Sequence, residues 1–147
     1  MIIFFLFFHI LAAVIWVGGM FFAYVMLRPS TAALDPPLRL ALWERVFGRF
    51  FPWVWACVAV LLLSGFGMYG LGVSGLFVEV MMGLGILMML IFAHLYFSSW
   101  KRFRRALAAG RPADAGQQLD QIRKIVLLNL ILGLIVVVVG ATGPYWS

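Results

Sequence analysis

The sequence predicts an all-α protein, an integral membrane four-helix up-down bundle forming one domain over residues 1–147, with both termini outside. Three observations carry this reading. Hydrophobic residues make up 65% of the 147, with a mean hydropathy of +1.09, more apolar surface than a water-facing exterior of this size accommodates. The eleven Lys and Arg fall in two segments only, Arg28, Arg39, Arg45 and Arg49 in the first and Lys101, Arg102, Arg104, Arg105, Arg111, Arg123 and Lys124 in the second. Around and between them lie apolar runs at about 2–27, 51–71, 76–99 and 125–142, each near the ~20 residues a helix needs to cross ~30 Å of hydrocarbon.

Helix is the form these runs must take, because hydrocarbon offers no partner for backbone N–H and C=O groups and four short runs cannot close a barrel. The first run lacks a basic leading region and a clean small-x-small cleavage site, so it reads as a retained span rather than a secretory signal. The loop after it is expected to hold a separate interfacial helix, capped by Asp35, opened by Pro36 and striped by Leu38, Leu42, Trp43 and Val46. The second long loop reads as helix extensions joined at Gly110-Arg111-Pro112, with a restart near Asp114 that carries Leu119 and Ile122 toward the last span. Trp43, Trp53, Trp55 and Trp100 flank the basic segments, and Tyr69, Tyr145 and Trp146 mark the opposite face, as aromatic belts do at the two interfaces. Pro29, Pro36, Pro37, Pro52, Pro112 and Pro144 are all expected outside the span interiors.

Charge sets orientation and excludes a class of function. A net charge of +6 located only between spans is the pattern of cytoplasmic loops, which retain Lys and Arg during insertion. Both basic loops are therefore expected in the cytoplasm, against anionic lipid headgroups, and nucleic acid is not expected as a partner. Cys57 is the single cysteine, so no intrachain disulfide forms. Phosphate-cradling Gly-rich loops, zinc-type cysteine pairs and Ser/His/Asp sets are absent from the sequence.

Few ionisable or soft-ligand residues lie at membrane depth. His9 sits about two turns into the first span and His94 toward the basic end of the third. An intramembrane imidazole is costly to insert unpaired, and neutral imidazole ligates haem iron and copper. The two histidines are expected at depths roughly 15 Å apart, too far to clasp one iron without strong tilt. His9 shares its level with Met68, Met81, Met82 and Glu79, the last a candidate to orient the ring; His94 shares its level with Cys57 and Asn129. Glycines at 18, 19, 65, 67, 70, 83, 85, 133 and 140 serve either close helix packing or a slot for a flat cofactor.

The run His9-Ile-Leu-Ala-Ala-Val-Ile-Trp16-Val-Gly18-Gly19 resembles the opening helix of the copper-resistance protein D (CopD) family and of the related HemJ-type membrane protoporphyrinogen oxidases. The resemblance continues in Ala93-His94-Leu-Tyr-Phe before the basic run and in Arg123-Lys124-Ile-Val-Leu-Leu-Asn129-Leu-Ile-Leu-Gly133-Leu. It implies a bacterial inner-membrane bundle that handles a redox metal, either b-type haem held by the first-helix His or copper passing into the cytoplasm. The lysine that HemJ-type proteins carry in a later helix has no evident counterpart here, and the chain matches only a core of the longer copper-resistance proteins.

The reading taken forward is a haem b-binding protein in electron transfer or haem-linked oxidation, with His9 as iron ligand, Trp16 and Gly19 as a wall for the porphyrin, and His94 as a second ligand or the centre of a second site. Copper import or binding through His9, Met68 and Met82, with Cys57 and His94 as further candidates, is the alternative. A third reading is a non-catalytic small subunit of a larger membrane complex, with a membrane redox partner or a second copy of the chain as its companion.

Overall fold

Residues 1–146 are described by the computed structural model, which is helical from Ile2 to Tyr145 apart from turns at 32–35, 71–75 and 109–111. Four helices result, Ile2–Thr31, Pro36–Gly70, Leu76–Ala108 and Pro112–Tyr145, each long and apolar enough to cross a membrane. They are called the first to fourth helices below. Among the described residues there is no strand. Turns this short make consecutive helices antiparallel neighbours. The first and third turns, with all the basic residues beside them, therefore sit at one end of a four-helix membrane bundle. The termini and the middle turn sit at the other.

The helices have 30, 35, 33 and 34 residues, about 45–52 Å at 1.5 Å per residue, against ~30 Å of hydrocarbon. The excess lies at the basic end, and the tightest packing is found there. Trp43, Phe47 and Phe51 of the second helix, Phe103 of the third and Ile122 of the fourth are all at most 2% exposed. Phe47 and Phe51 stack at 4.9 Å and 5°, and Trp100 meets Phe51 edge-on at 5.1 Å. Water drives apolar side chains together where the bundle leaves the bilayer; inside lipid an outward apolar face costs nothing. Phe4, Val14, Leu63, Phe66, Leu90 and Val138 are accordingly all more than half exposed and face outward.

Two sequence expectations change. The interfacial helix after the first span is not separate, because Pro36–Gly70 runs as one helix with Pro52 inside it. Trp43, Phe47, Phe51 and Val54 form one buried stripe at helical spacing that pins the chain on both sides of the proline. The bond that Pro52 cannot donate would have gone to the carbonyl of Gly48, an exposed residue. Asp35 does stand at the start of this helix, with extended backbone, but its side chain makes no capping hydrogen bond. The third turn falls at 109–111, with Gly110 at φ +67°, a left-handed conformation that glycine adopts without strain. The fourth helix restarts at Pro112, and Asp114 in its first turn pairs with Arg111 at 3.4 Å.

Two π-helical stretches, Phe22–Leu27 and Tyr96–Trp100, lie just before the basic segments of the first and third helices and were not expected from the residue pattern. Each inserts a wider turn that re-aims the face following it. Ala23, Ser99 and Trp100 are thereby buried.

Phe103→Ala is expected to cost about 3–5 kcal/mol, while Leu63→Ala on the lipid face stays within about 0.5 kcal/mol. Reversible unfolding in mixed detergent micelles measures both.

Candidate metal site

The two histidines occupy different surroundings. His9 is half-buried between the first and second helices, and its Nδ1 lies 2.8 Å from the Ser64 hydroxyl. That hydroxyl donates its only hydrogen to the carbonyl of Val60 at 2.6 Å, the back-bond of a helical serine. Ser64 Oγ can then only accept from the ring. In that arrangement, assigned from the shorter contact to Val60, Nδ1 carries the proton and Nε2 keeps an unshared lone pair. No other hydrogen bond to the ring is formed among the described residues.

Two glycines let the helices approach here. A Cβ at Gly65 would lie 3.5 Å from Cε1 of His9, and one at Gly67 would come within 2.9 Å of the Phe5 ring. Phe5 is one turn from His9 and Gly67 is nearly one turn from Ser64, so the contact runs in register along both helices.

The remaining candidates separate into those near this level and those away from it. Met68 is one turn beyond Ser64 on the same face of the second helix and is half-buried. Met81 and Met82 of the third helix are half-buried too, and Met81 Sδ would lie 2.9 Å from a Cβ at Gly140. Gly140 is about two turns toward the termini from Gly133, which packs on Val17 of the first helix, and this puts Met81 close to the depth of His9. Glu79 is exposed in the first turn of the third helix, and the group that orients His9 is Ser64 instead.

His94 is exposed on the outside of the bundle. Trp16 and Phe92 meet edge-on at 6.2 Å, which fixes the register of the first and third helices. His9 is seven residues before Trp16 and His94 two beyond Phe92, so they lie about 13 Å apart along the bundle axis. The two imidazoles do not share an ion. Cys57 is buried without a partner ligand, and Asn129 bridges the third and fourth helices by donating from Nδ2 to the Met88 carbonyl at 3.1 Å.

The porphyrin wall expected of Trp16 and Gly19 is a packing surface. Trp16 is 2% exposed, and the Phe50 ring occupies the space beside Gly19. Gly133 receives Val17 and Met88, at 2.9 and 3.1 Å from its missing Cβ. At these positions the glycines serve helix packing. Among the described residues no three His, Cys, Asp or Glu side chains gather to hold a metal ion.

Ser64 was not singled out from the sequence, although a signal for it exists. It is the only serine or threonine between Phe51 and Leu71, and it lies as many residues from the middle turn as His9 lies from the start of the first helix. Antiparallel neighbours bring equal depths together.

A family model described as Copper resistance protein D matches residues 44–142. The chain belongs to the copper resistance protein D family. No curated protein and no solved structure matches it. Ser64, Met68, Met82, His94 and Asn129 lie within the matched stretch, and His9, Trp16 and Gly19 precede it. Four apolar helices and this membership make the chain a multi-pass membrane protein related to copper resistance.

Ser64→Ala removes the acceptor that fixes the His9 tautomer. The expected result is a stability loss of about 1 kcal/mol and a change in the ¹⁵N imidazole shifts of His9 from one Nδ1–H form to a tautomer mixture.

Proposed function

We propose that this member of the copper resistance protein D family takes up cuprous copper within the membrane, with His9 Nε2 as its first protein donor. The observation that carries the reading is the Val60–Ser64–His9 contact chain, which orients the ring through Nδ1; with the Ser64 hydrogen on the Val60 carbonyl, Nε2 is the unprotonated nitrogen. A neutral imidazole supported through its other nitrogen is the form in which histidine binds metal. Thioethers suit cuprous copper, and Met68, Met81 and Met82 stand near the same level. The ion is cargo in this reading. A site without a full set of tight ligands releases what it binds, as passage requires. No redox step is needed: the copper enters and leaves as Cu(I), and the Nδ1 proton stays on the ring.

Haem b is the competing reading, since the same lone pair suits iron. Two features weigh against it: the rings of Phe50 and Phe92 cover Gly19 and Trp16, and His94 lies on another level. The expected setting is the bacterial inner membrane, with both basic turns in the cytoplasm and the His9 end outside. Its support is the complete confinement of Lys and Arg to the ends joined by those turns.

Anaerobic titration of the purified protein against a chromophoric cuprous chelator tests the reading. Wild type is expected to withdraw about one equivalent of Cu(I), His9→Ala to lose that equivalent, and Ser64→Ala to bind about 10–100-fold more weakly. Undiminished affinity in His9→Ala, or a Soret band in protein from haem-replete cells that vanishes in that variant, overturns it.

A further inference from the structure

At the opposite end of the molecule a groove of about 330 Å³ is lined by Arg28, Pro29, Thr31, Ala32, Arg39 and Arg123. This volume is within the ~300–1,000 Å³ of ordinary small-ligand sites. Three guanidinium groups from the first, second and fourth helices meet there, and no carboxylate lines it. We propose that this groove binds a phosphate-bearing anion, the phosphodiester of an acidic phospholipid headgroup.

Three features make it a built site rather than a basic surface. The Arg28 guanidinium lies over the Tyr24 ring at 4.8 Å and that of Arg123 over the Trp43 ring at 5.6 Å, so both cations are held in place by aromatic faces. Thr31 is buried, donates to the Arg28 carbonyl at 2.9 Å and accepts from Trp43 Nε1 at 3.3 Å, which ties the floor of the groove to both walls. The Arg123 side chain is only 18% exposed, pairs with Asp120 through one terminal nitrogen, and keeps a buried Nε with no acceptor among the described residues.

Three guanidinium groups, with one solvent-exposed carboxylate that pairs with Arg123 and does not line the groove, leave a net positive field there. Guanidinium groups meet that need with planar, paired donors suited to phosphate oxygens. The depth fits a lipid: Arg28 directly follows the first apolar span and Arg123 lies two residues before the fourth, which is headgroup level. The proposal does not depend on copper.

The test uses delipidated full-length protein in neutral detergent, titrated with phosphatidylglycerol or phosphatidylcholine micelles and followed by native mass spectrometry. One phosphatidylglycerol is expected to be retained in preference to phosphatidylcholine. Arg39→Gln is expected to weaken retention about fivefold, and Arg28→Gln/Arg39→Gln about thirtyfold. Arg102→Gln/Arg104→Gln, an equal loss of charge outside the groove, is expected to leave retention unchanged. Inorganic phosphate that binds in place of the lipid, and is lost in the same Arg28/Arg39 variant, supports the site with free phosphate as its source. Equal retention of phosphatidylcholine, or equal loss in the Arg102/Arg104 control, overturns the proposal.

Discussion

Each helix passes through two solvents, and the architecture follows from that passage. Helices of 30–35 residues exceed the hydrocarbon they cross, and the hydrophobic effect acts on their side chains only where they leave it. The aromatic cluster of Trp43, Phe47, Phe51, Trp100 and Phe103 therefore forms at the end where the basic turns lie, and it clamps all four helices there. Toward the termini the helices are held by close contact through small residues. The Phe5–Gly67 and His9–Gly65 contacts are of this kind.

The difference between the two ends is also a difference in chemistry. The clamped end has rigid partners, and it holds three arginines in a fixed arrangement on aromatic faces. The looser end has thioethers on flexible stems and one imidazole whose proton is assigned by a serine. A rigid charged groove suits a permanent lipid ligand. Adaptable soft donors beside one oriented nitrogen suit an ion that must come and go.

The helices and their alternating direction were legible in the sequence because bilayer length and backbone satisfaction leave so few choices. Their true ends were harder to see. The arginines between Arg39 and Arg49 set a separate interfacial helix before a span that begins at about residue 51, yet the buried stripe from Trp43 to Val54 carries one helix through. The π-helical stretches had no sequence signature, since a widened turn is decided by packing on both sides. At the candidate site, that His9 needs a polar partner could be read from the cost of burying an unpaired imidazole. Its partner could not be read without the pairing of helices: Glu79 was the candidate, but it is exposed, and Ser64 on the neighbouring helix faces the ring. The space beside the glycines was hard to read for a similar reason, because a glycine in sequence shows where space is possible and not which ring fills it. Gly19 is filled by Phe50.

The central claim is that the free Nε2 of His9 meets copper directly. X-ray absorption at the copper edge, on protein loaded anaerobically with Cu(I), tests this most directly. The account predicts a low-coordinate cuprous spectrum with the outer-shell scattering of one imidazole beside sulfur, and loss of that imidazole signal in His9→Ala. A purely sulfur shell in the wild-type protein, or an imidazole signal that persists in the variant, would contradict it.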